Sequence, residues 1–365
     1  MTGQIDLPGG AVAGHPVVLM VPGGWFMDRD GYMGGSGTER DLIYRDLAND
    51  FLRAGLAVVR YDNRGVHCNE MTMPCCPASS SELEVSRHYL NVCVDADMRQ
   101  TVTVQTQMDD VEDVWQVIAD HPALDAQRIL VWAHSEGALN VARLIGRGRI
   151  DPQGVQFVGA ITESPAAIFR WQTIERYLEH VMDWDQDGDG FITQADVDRH
   201  FPDDQIFAAV GISSDVLAAP DNGWNRTLLH ELFAAEYETM RTSALAKPDD
   251  APYPEPSPEL RVVAASNNWW KQWFVDETSL IDHLASCRCR VVFHLGELDS
   301  QSPACRQLAF GEERIKTGMF EIAPRLVLHK GRGHSLRTGE PVMGPMDEAA
   351  KASLAAEARE LLFTR

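Results

Sequence analysis

Leu130-Val131-Trp132-Ala133-His134-Ser135-Glu136-Gly137-Ala138 passes from an apolar run, through a polar turn, into a helical pattern. Residues 128–132 read as a strand and residues 137–145 as a helix. The junction fits G-x-S-x-G, with Ala133 in the place of the first glycine. Such a turn forces its serine onto a strained corner with Oγ exposed beyond the strand end. Small neighbours are needed because strand and helix approach closely. The next backbone N–H, that of Glu136, lies at a helix N-terminus and can stabilise an oxyanion. An ordinary strand–helix junction with a capping serine would look the same locally, so the decision rests on the rest of the chain.

Two later stretches supply partners. The strand-like run 290–295 leads into Gly296-Glu297-Leu298-Asp299, and the run 325–329 leads into Gly331-Arg332-Gly333-His334-Ser335. An acid and then a histidine thus follow successive strands, in the chain order Ser, Asp, His. All three fall beyond strand carboxyl ends, where open α/β sheets place their sites. In this reading His334 takes the proton from Ser135 and Asp299 orients the imidazole. Glu163, past a strand read over 155–161, is the runner-up acid, and Asp299 could instead be a helix cap. His134 should point away from the serine. The loop Val21-Pro22-Gly23-Gly24-Trp25 should give the second oxyanion donor, with the N–H of Gly24 favoured and Trp25 the alternative.

Around these points apolar runs alternate with helical stretches: strands at 16–21 and 56–62, helices at 41–53 and 108–120. Uninterrupted apolar runs suit strands buried on both faces of a parallel sheet. Strand–helix alternation predicts an α/β class, mostly parallel and doubly wound. The rhythm stops over residues 166–285, which read as helices, acidic loops and the Pro-rich stretch KPDDAPYPEPSPEL. The expected organisation is a core over 1–165 and 286–365, split by a largely helical inserted cap.

The chain has 365 residues, 44% of them apolar, and a formal charge of −22. That surface repels nucleic acid and anionic lipid and favours neutral or cationic partners. No apolar run is long enough for a membrane span. The N-terminus lacks a basic segment followed by an apolar one, so the chain reads as cytoplasmic by default, or exported if an upstream segment was removed. Of the seven cysteines, Cys68, Cys75, Cys76 and Cys93 fall in one region and Cys287, Cys289 and Cys305 near the expected acid. Their spacing does not fit zinc. Disulfides within each group and inert thiols both remain open.

The chain resembles bacterial α/β-hydrolase-fold esterases related to the serine aminopeptidase-like hydrolases. The stretches that carry the likeness are Val21-Pro22-Gly23-Gly24 with Asp28-Arg29-Asp30-Gly31, Arg60-Tyr61-Asp62-Asn63-Arg64-Gly65-Val66, His134-Ser135-Glu136-Gly137, and the loops at Gly296–Asp299 and Gly333-His334. The aromatic stretch Asn268-Trp269-Trp270-Lys271-Gln272-Trp273-Phe274 is also similar. The resemblance implies the α/β-hydrolase fold and ester hydrolysis without a cofactor, acting on a small-molecule ester. The chain departs from the group in its Cys-rich loop, in its long insertion, and in starting close to what would be the fold's second strand. Trp269, Trp270 and Trp273 could cover a pocket, but core packing is the favoured reading.

One motif lies outside that scheme. Asp185-Gln-Asp187-Gly-Asp189-Gly190-Phe191-Ile192-Thr193-Gln-Ala-Asp196 offers oxygens at positions 1, 3, 5, 7, 9 and 12 of an EF-hand-like loop, with Gly190 at the sharp turn. Trp171, Ile174, Leu178 and Val181 give an entering helix. The expectation is one structural calcium ion held by Asp185, Asp187, Asp189, the carbonyl of Phe191, Thr193 and Asp196, without a second hand to pair with. A peptidase, a thioesterase, or a calcium-dependent binding protein on an inactive scaffold are the alternative functions.

Overall fold

The protein was analysed as a computed structural model, which describes residues 2–9, 13–24, 26–34, 41–67, 82–204, 207, 213–251, 265–339 and 345–363. Seven strands form the main sheet: β1 (Gly3–Asp6), β2 (His15–Val21), β3 (Ala57–Tyr61), β4 (Leu124–His134), β5 (Gly154–Val158), β6 (Arg290–Gly296) and β7 (Arg325–His329). Their spatial order is β1-β3-β2-β4-β5-β6-β7. All neighbours are parallel except β1, which runs antiparallel to β3 with Gly3 opposite Tyr61.

The central strands are apolar on both faces because both faces are covered. Val17, Leu19 and Val131 join one core cluster, under helices Val104–Asp120 and Glu136–Gly146. Val18, Met20 and Trp132 join another, against helices Ile43–Arg53 and Glu348–Phe363. Alternate residues of one strand thus feed two cores, as the period of a strand dictates.

The strand order reverses between β2 and β4. From β2 the chain moves outward through β3, then returns and proceeds the other way through β5 to β7. A crevice opens at the carboxyl ends of strands at such a switch point. Pro22–Gly24 and Ser135 sit at the ends of those two strands.

Helices Pro165–Thr173, Glu175–Met182, Arg226–Ala246 and Asn267–Val275 lie between β5 and β6 in sequence. They share an apolar cluster of their own, including Tyr177, Phe207, Phe233 and Phe274. The loop after Glu175–Met182 is not alone. Its Phe191–Ile192 pairs antiparallel with Trp224–Asn225, so Ile192 faces Trp224 across a two-residue ladder. The sequence reading missed that partner, because residues 213–225 carry no run of acidic ligands.

The edge strand β1 was also not anticipated. The strand read over 155–161 ends at Val158. Cys287 and Cys289 are joined by a disulfide. Cys93 is disulfide-bonded as well, while Cys305 is free and exposed. Cys68, Cys75, Cys76 and Trp25 lie outside the described residues. Among the described residues no helix is long and apolar enough to cross a membrane.

Candidate active site

Ser135 follows β4 directly and precedes helix Glu136–Gly146. Its backbone is left-handed, with φ 52° and ψ −124°. A non-glycine residue held there carries strain of about 1–3 kcal/mol. The corner persists because its surroundings fix it: Ser135 N–H donates to the Val158 carbonyl at 2.9 Å. Gly137 makes the tight approach possible, since a Cβ there would lie 2.3 Å from the Pro22 carbonyl oxygen.

The other two predicted residues converge on this corner. His334 Nε2 is 3.0 Å from Ser135 Oγ, and His334 Nδ1 is 2.8 Å from Asp299 Oδ2. Asp299 is buried, and its carboxylate is saturated with donors. Oδ1 accepts from the N–H groups of Gln301 and Ser302, and Oδ2 from the Ser302 hydroxyl. These bonds hold one carboxylate oxygen toward Nδ1 of the imidazole, whose Nε2 faces Ser135 Oγ. Asp299 does not cap the helix that follows, whose N-cap is Pro303.

Glu163 is turned elsewhere. Its carboxylate pairs with the Arg306 guanidinium through two contacts, of 2.7 and 2.5 Å, and accepts from Gln307 Nε2. The chain bends at Gly159, where a Cβ would lie 2.5 Å from the His334 carbonyl, and so clears space for the histidine loop.

In the loop after β2, Gly23 N–H donates to Tyr44 Oη at 2.9 Å. Gly24 is the next residue along. The Glu136 side chain lies under it, its carboxylate receiving the Trp269 indole N–H. Burial pushes the Glu136 carboxyl above its usual range, against the pull of that indole and of Arg143 and Arg99. Trp269 thereby proves to be a buried core residue, and Trp270 and Trp273 pack partly buried against the same core.

Buried ion pairs brace the loop. Arg29 pairs with Asp62 at 2.9 Å, and Arg60 pairs with Asp30 and, at 2.9 Å, with Asp6. Burial, with Asp30 beside it, pushes Asp28 up to about 6.

Sequence reasoning missed Tyr44 and Ser335. The Tyr44 hydroxyl is 3.1 Å from His134 Nδ1, and Ser335 Oγ is 3.1 Å from His134 Nε2. His134 does point away from Ser135 Oγ. Desolvation, with His334 nearby, holds its pKa well below the ordinary value, so it is neutral. Nothing in a lone Tyr or Ser between helix and loop would have marked either residue.

No protein-family model matches the chain, and no curated protein matches it. Solved structures do match. A structure of DcsB in complex with its substrate analogue superposes with a TM-score of 0.50 at 14% identity, covering 99% of this chain and 93% of that one. Alpha/beta hydrolase GrgF from Penicillium sp. sh18 has a TM-score of 0.48 at 14% identity, over 99% and 98%. A thermophilic esterase from Thermogutta terrifontis, malate bound, has 0.48 at 12%, over 99% and 93%. The fold is that of the α/β hydrolases. The seven-stranded sheet, parallel but for its edge strand, and its flanking helices are that architecture.

In the predicted metal loop, Asp185, Asp187 and Asp189 bring carboxylate oxygens within 4.8 Å of one another. The loop backbone wraps around Asp185, which accepts from the N–H groups of Gly188, Asp189 and Gly190. The Gly190 N–H is the largest cause holding the Asp185 carboxyl below its usual range. Phe191 is drawn into the two-residue ladder. Asp196 is not part of that group of carboxylates. Thr193 and Asp196 form a capping box on helix Gln194–His200, with Asp196 Oδ2 accepting from Thr193 N at 3.0 Å and Thr193 Oγ1 at 2.6 Å.

Proposed function

We propose that the protein is a serine hydrolase whose substrates are carboxylic esters of small molecules. The observation that carries this reading is the in-line pair of hydrogen bonds from Ser135 through His334 to Asp299, set on a left-handed elbow at the sheet's switch point. Ser135 Oγ attacks the ester carbonyl while its proton passes to His334 Nε2. Asp299 stabilises the imidazolium. The N–H groups of Gly24 and Glu136 hold the oxyanion of the tetrahedral intermediate. His334 then protonates the leaving alcohol, and water enters by the same route to release the acid from the acyl-enzyme. No cofactor takes part in these steps. Residues 166–285 act as a cap over the site.

The same reading assigns the cap loop to a structural calcium ion. An all-oxygen donor set suits a hard cation, and the wrapped backbone around Asp185 supports it. Asp185, Asp187 and Asp189 would hold the ion with the Phe191 carbonyl. Thr193, through a water, and Asp196, through the carboxylate oxygen its capping box does not use, would complete the set. A bound ion would stiffen the loop between helices Glu175–Met182 and Gln194–His200.

Peptidase and thioesterase activity share this chemistry. A calcium-dependent binding protein on an inactive scaffold is disfavoured, because such a scaffold has no need for Ser135, His334 and Asp299 in register. A panel of activated esters, thioesters and aminoacyl amides, run on wild type and Ser135→Ala, separates these readings. The expected result is ester turnover in wild type alone. Turnover confined to amides, or none in any class, contradicts the assignment.

A further inference from the structure

We propose that Asn63 and Tyr44 are positioning residues for the oxyanion hole: they grip Gly23 from its two ends and so aim the N–H of Gly24. The proposal rests on reading Gly24 as an oxyanion donor.

Asn63 Nδ2 donates to the Gly23 carbonyl at 2.7 Å. That carbonyl and the Gly24 N–H belong to one peptide unit, which is planar and trans, so the two bonds point in opposite directions. Fixing the carbonyl toward Asn63 therefore fixes the Gly24 N–H away from it. A two-glycine loop has little else to set that direction, because glycine explores both signs of φ freely. Asn63 is itself anchored, through its own N–H to the Met27 carbonyl at 3.0 Å.

The preceding peptide is held from the other side. Gly23 N–H donates to Tyr44 Oη. Tyr44 Oη is also within hydrogen-bond distance of His134 Nδ1, at 3.1 Å. His134 Nε2 is in turn 3.1 Å from Ser335 Oγ. Tyr44, His134 and Ser335 are 2%, 3% and 0% exposed, so water does not compete for these bonds. His134 precedes the nucleophile and Ser335 follows the histidine. The loop that carries the oxyanion donor is thus tied to both other parts of the site.

The test is the rate at which a fluorophosphonate labels Ser135, read beside kcat and KM for p-nitrophenyl acetate. Asn63→Asp keeps the shape of the side chain but presents the Gly23 carbonyl with an acceptor. It should slow labelling and lower kcat by about 10²–10³-fold, the loss expected for one misaimed oxyanion donor, with KM changed less than about 3-fold. Asn63→Gln, which restores an amide donor, should recover part of the loss. If Asn63→Asp fails to fold, Tyr44→Phe gives the same readout by removing the acceptor for Gly23 N–H. Labelling and kcat at wild-type levels in the folded variant, or a loss carried by KM alone, overturns the proposal while the serine-hydrolase reading stands. Wild type that takes no label at Ser135 overturns that reading, and this proposal with it.

Discussion

His334 Nδ1 lies 2.8 Å from Asp299 Oδ2, while the other candidate acid, Glu163, is bound to Arg306 and Gln307. The two carboxylates follow different strands of one sheet and carry different loads. Asp299→Asn would offer the imidazole a competing amide and disturb the tautomer that Ser135 needs. Its kcat/KM should fall about 10⁴-fold, as for triads whose acid is neutralised. Glu163→Gln should leave kcat/KM within about 3-fold and lower stability by about 1–2 kcal/mol, a loss moderated by the exposure of Arg306. Steady-state kinetics and urea unfolding on both variants check this. A crippled Glu163→Gln beside an active Asp299→Asn reverses the assignment.

Strain at the elbow has its own signature. Ser135 sits at φ 52°, which alanine tolerates no better than serine. Glycine does so without steric cost, though its freer unfolded chain offsets part of the gain. Ser135→Gly should therefore be more stable than Ser135→Ala by about 1 kcal/mol, with both inactive. Equal denaturation midpoints would mean that the corner is relaxed.

The elbow, acid and histidine were legible because each stands where a long apolar run gives way to small and polar residues. The parallel core was legible for the same reason: β2, β3, β5 and β6 are buried nearly end to end, and β4 is buried from Ile129 onward. Gly3–Asp6 escaped notice because an edge strand paired on one side needs no apolar run. Tyr44, Asn63 and Ser335 escaped because their roles depend on contacts 21 to 201 residues away in sequence, between single polar groups that form no motif. The partner of Ile192 was hidden in a loop that shares the metal loop's pairing but not its aspartates.

Acid should destabilise the protein through His294. This buried ring lies 3.0 Å from His329 Nε2 and 2.8 Å from Glu357 Oε2. Desolvation, with the Arg325 charge, pushes its pKa down to about 3. The unfolded chain therefore binds this proton more tightly than the folded one. The stabilisation is complete above the unfolded value, about 6.5, and is lost as pH falls from there toward 3. At pH 4 the loss from this group is roughly 3 kcal/mol. Urea unfolding from pH 7 to 4 should show the decline, and His294→Gln should flatten it. A slope unchanged by the substitution assigns the acid sensitivity elsewhere.

Calcium binding to the cap loop can be read without any enzyme assay. Calorimetric titration of metal-free protein should give saturable heat for one ion, at modest affinity because Asp196 has a shorter arm than the glutamate usual at position 12. Asp185→Ala with Asp187→Ala should abolish it. No saturable heat in wild type at millimolar calcium ends the assignment.

The nucleophile is the centre of the account, and one measurement reaches it directly. Treat the protein with a fluorophosphonate, measure the intact mass and map the modified peptide. The account predicts one adduct, on Ser135, absent when the same reagent meets Ser135→Ala. An adduct on any other serine, or a Ser135→Ala variant that hydrolyses esters at the wild-type rate, would contradict it.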